Sequence, residues 1–304
     1  MDKETLRSFA AKHDHFVGFD SDGCIFDSME LKHKECFIPN IIKYYDLQPI
    51  AKYAREVAEF VNLYSQWRGT NRFPALVKTI ELLRDRPEVL ARGVTLPDLT
   101  AVEQFIRTAP SLGNPALEKA IEKTGDSSLK LCLEWSRAVN VSIEWMVKGL
   151  PPFPAAKGSL EKISGRADTM VVSATPAEAL RREWEEHGID KYVGVIAGQE
   201  LGKKEEQLGL TAQGKYKTGN ILMVGDALGD LKAAQAVHAR FYPIVPGRED
   251  ESWERFRDDV VDRFLRDAYP QEEEDQLCRE FSKALPSVPP WKHSEDVHRV
   301  SQGG

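Results

Sequence analysis

Phe16-Val17-Gly18-Phe19-Asp20-Ser21-Asp22-Gly23-Cys24-Ile25-Phe26-Asp27-Ser28 is an apolar run that ends abruptly in an acidic loop. The run reads as a buried strand, and Asp20 and Asp22 stand two residues apart at its carboxyl end. Open α/β sheets build their sites at that edge. A carboxylate there can serve as a nucleophile, and a second one can move protons. Further along, Ile221-Leu222-Met223-Val224 ends the same way, in Gly225-Asp226-Ala227-Leu228-Gly229-Asp230. Two acidic loops at the ends of two strands, with no His/Cys cluster, describe a Mg²⁺ site, because hard cations take oxygen ligands.

Between and after these loops the texture of the chain changes twice. Residues 3–12 read as a short helix before the first strand. From Met29 to about Lys148 strand-like runs vanish and helical periodicity takes over. Val57, Phe60, Val61, Tyr64 and Trp67 form one apolar stripe. Thr100-Ala101-Val102-Glu103 is a capping box ahead of Phe105 and Ile106. Asn114-Pro115 predicts an N-cap and first-turn proline, with Gly125 ending that helix, and a long helix follows from about Ser128 to Val147. Gly149-Leu150-Pro151-Pro152-Phe153-Pro154 then marks a linker.

After the linker, strands and helices alternate: strands over 169–174, 193–198, 220–226 and 240–245, with helices over 177–187, from 205, and over 229–237. That alternation implies βαβ units and a parallel sheet covered on both faces. The expected organisation is a discontinuous core, 1–28 and 151–245, with a helical block inserted at 29–150. Residues 246–304 form an extension, acidic and helical over 251–265 and Pro-rich at Pro286, Pro289 and Pro290. A helix packed on the core and a dimer surface are both open to it. The last dozen residues are polar and expected to fray.

The composition bounds the function. At 304 residues, 41% hydrophobic and 29% charged, the chain is an ordinary soluble one. The formal charge of −7 gives no electrostatic reason to expect nucleic acid. No signal-peptide h-region opens the chain, and no apolar run approaches the ~20 residues that span a bilayer, so no membrane partner is expected. Cys24, Cys36, Cys132 and Cys278 form no CxxC, and free thiols suit the cytoplasm. Cys24 reads as a small buried filler in the acidic loop. His13 and His15 flank Asp14, and His293 and His298 lie in the tail; none reads as a metal ligand. No dinucleotide or P-loop glycine pattern is present.

Asp20-x-Asp22-Gly23-x-x-x-Asp27-Ser28 resembles motif I of the haloacid dehalogenase (HAD) superfamily. Val171-Val172-Ser173 resembles motif II, Gly202-Lys203-Lys204-Glu205 motif III, and Gly225-Asp226-x-x-x-Asp230 motif IV, in the family's order across about residues 14–245. The resemblance implies an α/β fold, a Rossmann-like parallel-sheet core with an inserted all-helical C1 cap. It implies Asp20 as nucleophile, Asp22 as general acid–base, Ser173 on the transferring phosphoryl group, and a motif III lysine. That lysine is Lys203 or Lys204, with Lys204 favoured because it opens a Lys-Glu-x-x-Leu helix entry. The metal set it implies is Asp20, Asp22, Asp226 and Asp230, and Gly23 and Ala174 are expected at the substrate.

A carboxylate at Asp22 resembles the phosphate-ester branch of the family rather than the dehalogenases. Within the helical block, Trp67-Arg68-Gly69-Thr70-Asn71-Arg72-Phe73-Pro74-Ala75-Leu76 resembles the substrate-specificity loop of β-phosphoglucomutase-like members, which implies Arg68 and Arg72 on a distal phosphate. The block is longer than is usual there. The resemblance implies a cytoplasmic, Mg²⁺-dependent phosphatase of a small phosphorylated metabolite, a sugar phosphate or phospho-acid, acting as a monomer or dimer. A phosphomutase and a non-catalytic metabolite-binding member are the alternatives.

Overall fold

The computed structural model describes residues 2–292. The polar tail, with His293 and His298, lies outside the described residues. The described residues divide into two compact units, 2–29 with 149–284, and 30–148 with 285–292.

The first unit is built on a five-stranded sheet of β1 (Phe16–Phe19), β2 (Asp168–Val172), β3 (Val195–Ala197), β4 (Ile221–Gly225) and β5 (Arg240–Pro243). The order is β3-β2-β1-β4-β5, and every pairing is parallel. The fold is therefore the expected α/β parallel-sheet class. β1 is central, with Phe16 opposite Asp168 on one side and Ile221 on the other. Burial on both faces explains why Phe16–Phe19 and Ile221–Gly225 are apolar throughout rather than alternating. The strand order reverses between β1 and β4, so the crevice at their carboxyl ends is a topological switch point.

The C-terminal segment up to Ala284 belongs to this unit. Trp253, Phe256, Val260, Val261 and Phe264 are buried in the same core as the sheet. A helix not anticipated from the sequence, Gln271–Ala284, packs beside β5. Its Glu274 accepts from Phe241 N at 2.9 Å and Arg240 Nε at 2.7 Å, covering part of an edge strand whose N–H groups would otherwise need other partners.

The second unit is helical, with no strand among the described residues. The helices Ala51–Leu63, Arg72–Arg84, Thr100–Thr108, Asn114–Thr124 and Ser127–Met146 enclose a core that includes Val57, Val61, Phe73, Phe105 and Trp135. From the C-terminal segment, Trp291 packs on Phe60 with ring centroids 5.5 Å apart and lies 4.7 Å from the Arg86 guanidinium.

Several local expectations are corrected. The stripe runs past its helix, which stops at Leu63 and leaves Tyr64 exposed. Thr100 is the first helical residue rather than a cap, and Asp98 Oδ1 accepts from Thr100 N at 2.9 Å in place of the capping box. Gly113, not Asn114, occupies the next cap, because the Asn114 side chain accepts from Ser136 Oγ at 2.7 Å. Gly125 closes that helix as expected, and Asp126 caps the long helix through Ser128 N and Leu129 N.

Candidate active site

The acidic loop leaves β1 at Asp20, whose N–H donates to Val224 O at 2.9 Å. Ser21 O then gathers the N–H groups of Cys24, Ile25 and Phe26, and Gly23 N donates to Phe26 O at 2.8 Å. A turn this tight needs φ +76° at Gly23, which a side chain would strain. Two buried tryptophans brace the loop. Trp184 Nε1 donates to Ser21 Oγ at 3.0 Å, and Trp253 Nε1 donates to Cys24 O at 2.7 Å. Neither brace was legible in the sequence, because each joins residues far apart in the chain.

The two acidic loops meet. Carboxylate oxygens of Asp20, Asp226 and Asp230 lie within 4.8 Å of one another, and all three residues are buried. Gly225 makes this possible: a Cβ there would stand 2.5 Å from both Cβ and Cγ of Asp230. Asp230 Oδ2 also accepts from Ala227 N at 3.0 Å, which fixes its side chain at the start of the helix Leu228–Ala236.

Lys204 enters from the first turn of the helix Lys204–Ala212. Its Nζ lies 2.8 Å from Asp20 Oδ2 and 2.6 Å from Asp230 Oδ1. Lys203 stands at the N-cap position and is exposed. Of the two motif III candidates, Lys204 is the one brought to the acids. Burial pushes the Asp20 carboxyl well above the usual carboxylate range; Lys204 opposes this, and Asp230 and Asp226 add to it. Burial alone would lower Lys204, but Asp20 and Asp230 hold it above the usual lysine range. One ammonium against three carboxylates leaves a charge deficit that a divalent cation would balance, and an all-oxygen donor set fits Mg²⁺.

Asp22, also expected among the metal acids, stands outside the three-acid cluster. Its Oδ1 accepts from Ser28 Oγ, and its Oδ2 accepts from Thr175 Oγ1 at 2.8 Å. Ser173 follows directly on β2, buried, with its Oγ accepting from Thr175 N at 3.2 Å. Ala174 next to it is exposed. Gln207 is a supporting residue the sequence reading missed. Its Nε2 donates to the carbonyls of Ser173, Gly198 and Gly202 at 3.1, 2.9 and 3.0 Å, tying the loop after β2 to both ends of the turn after β3. Its only signal was a glutamine one turn after Lys204.

Arg68 and Arg72 lie in the helical unit. Arg68 is buried, with Nη1 donating to Leu63 O at 3.0 Å. Arg72 opens its helix, and its Nη1 donates to Ser136 O, Ser136 Oγ and Asn140 Oδ1 at 3.1, 3.0 and 2.7 Å. Its guanidinium also lies 5.2 Å from the Phe37 ring. Burial lowers its pKa to about 10. Arg68 and Arg72 thus each have a structural task within the helical unit.

No family model matches the chain, and no curated protein does. Several solved structures are similar to it. A predicted phosphoglycolate phosphatase from Haemophilus somnus 129PT is 15% identical, over 75% of this chain and 84% of that one, with a TM-score of 0.44. A haloacid dehalogenase-like hydrolase from Streptococcus pneumoniae is 15% identical over 81% and 91%, with a TM-score of 0.43. A HAD-superfamily hydrolase of subfamily IA from Geobacter sulfurreducens PCA is 14% identical over 78% and 89%, with a TM-score of 0.38. These are distant likenesses, and each is to a chain described as a phosphatase or a HAD-type hydrolase.

Proposed function

We propose that this chain is a HAD-type phosphoric monoester hydrolase acting on a small phosphorylated metabolite through an aspartyl-phosphate on Asp20. The observation that carries the reading is the Lys204 ammonium held between Asp20 and Asp230 at the carboxyl ends of β1 and β4, with Asp226 completing the acid cluster. A nucleophilic carboxylate, a fixed cation and a second acidic loop meet at a switch-point crevice, which suits displacement at phosphorus.

In this reading the Asp20 carboxylate forms a bond to phosphorus as the ester P–O bond breaks, and Asp22 gives its proton to the leaving oxygen. Asp22 then takes a proton from water as that water displaces Asp20, and phosphate departs. Lys204 holds Asp20 in place and offsets phosphoryl charge, and the Ser173 hydroxyl orients a phosphoryl oxygen. Asp20, Asp226 and Asp230 would hold a Mg²⁺, which supplies charge neutralisation on the phosphoryl oxygens when bound. The helical unit serves as the cap that selects the substrate. Arg72 is a candidate for a remote anionic group, because among the described residues no carboxylate forms an ion pair with it.

The test is incubation of the purified protein with Mg²⁺ and a panel of sugar phosphates and phospho-acids, with inorganic phosphate measured. Mg²⁺-dependent release from at least one ester is expected. Interconversion of sugar phosphates without release would make the chain a mutase, and no turnover of any ester would overturn the catalytic reading.

A further inference from the structure

We propose that Thr175 is a positioning residue for the proton-transfer step: its hydroxyl, with that of Ser28, orients the carboxyl group of Asp22. The inference rests on the reading of Asp22 as the acid–base group. Asp22 is gripped from two directions. Ser28 Oγ, at the far end of the acidic loop, donates to Oδ1, and Thr175 Oγ1, on the loop after β2, donates to Oδ2 at 2.8 Å. One hydroxyl on each oxygen fixes both the direction and the plane of the carboxyl group.

Thr175 is itself held rigidly. Its N–H donates to Ser173 Oγ at 3.2 Å, and its carbonyl accepts from Gln199 N at 3.0 Å. Pro176 follows, which restricts the backbone of the preceding residue to extended conformations. A threonine hydroxyl can rotate to donate or accept, so it serves Asp22 whether or not the carboxyl carries the proton. A lysine or arginine in that place would favour only the ionised form. Ser173 and Thr175, two residues apart, thus divide the work: one hydroxyl for the phosphoryl group and one for the acid.

A hydrogen bond that merely tied the two loops together would, on removal, slow every substrate alike. A hydrogen bond that aims the acid matters most when the leaving group needs a proton. The experiment compares Thr175→Val, Thr175→Ser and Asp22→Asn with the parent on a series of aryl phosphates, from p-nitrophenyl to p-methoxyphenyl, and on glycerol phosphate. Thr175→Val is expected to lower kcat/KM, which reports the step that expels the leaving group and not the later attack of water, by about tenfold on the poorest leaving groups while p-nitrophenyl phosphate changes less than about twofold. Thr175→Ser should recover most of that loss, with a thermal unfolding midpoint for each variant near the parent's. A flat loss of kcat/KM across the series would overturn the inference alone if Asp22→Asn still shows the leaving-group dependence. A flat response of Asp22→Asn would overturn the underlying assignment of the acid, and this inference with it.

Discussion

Trp253 donates its indole N–H to the carbonyl of Cys24 at 2.7 Å, so a residue beyond the last strand holds the loop that carries Asp20 and Asp22. Both partners are fully buried. Trp253→Phe keeps an aromatic ring there but leaves a buried carbonyl without that donor, which costs about 1–3 kcal/mol. Denaturant unfolding should register that loss, and turnover should fall with it as the loop loosens. Unchanged stability and turnover would show that the brace is incidental.

Gly225→Ala tests how the acids are assembled. The added methyl would stand 2.5 Å from Asp230 Cβ and Cγ, so the carboxylate has to move. The Mg²⁺ concentration for half-maximal activity should rise about tenfold or more, with Asp226→Asn behaving similarly. EDTA should abolish activity in the parent, and Ca²⁺ should not restore it, because it prefers a looser and higher coordination. A Gly225→Ala protein with parental Mg²⁺ dependence would contradict the close packing.

Much of this was legible before the structure, and for a physical reason. A buried parallel strand that ends in a carboxylate leaves an abrupt apolar-to-acidic boundary, and Phe16–Asp20 and Ile221–Asp226 both show it. Lys204 was legible as a helix entry. What was not legible depends on long-range contacts. The helix Gln271–Ala284 buries only Glu274, Leu277 and Phe281, too thin an apolar face to stand out in an acidic segment. Thr175, Gln207 and Trp253 act through partners far away in sequence. Asp98 takes the place of the expected capping box, because the Thr100 N–H and hydroxyl both donate to its carboxylate.

The C-terminal segment carries a pH-dependent contribution. Arg263 holds the Glu273 carboxyl down to about 2, burial opposes this, and Arg255 adds to the lowering. The ion-pair distances are 2.5 Å to Arg263 and 2.8 Å to Arg255. A depressed carboxyl stabilises the fold above its ordinary value of 4.5, and that stabilisation is lost as pH falls toward about 2. Glu273→Gln should therefore be less stable than the parent at neutral pH, with the gap narrowing as the medium is acidified below 4.5. A gap independent of pH would mean that the carboxylate charge contributes nothing.

Arg72→Ala separates two tasks. Losing the bonds to Ser136 and Asn140 should lower the thermal midpoint. Below that midpoint, kcat/KM for a substrate with a second anionic group should drop about 10–100-fold, while an aryl phosphate without one should hardly change. Equal losses on both would confine Arg72 to holding the helical unit together.

In the proposed mechanism Asp20 is the nucleophile. The direct measurement is single-turnover trapping with ³²P-labelled substrate and Mg²⁺, followed by acid quench and peptide mapping. Label should appear on the peptide carrying Asp20 and be released by hydroxylamine, as an acyl phosphate is. Asp20→Asn, folded as the parent is, should take up no label and release no phosphate. Phosphate release by Asp20→Asn at more than a few per cent of the parent rate, or label on another residue, would contradict the account.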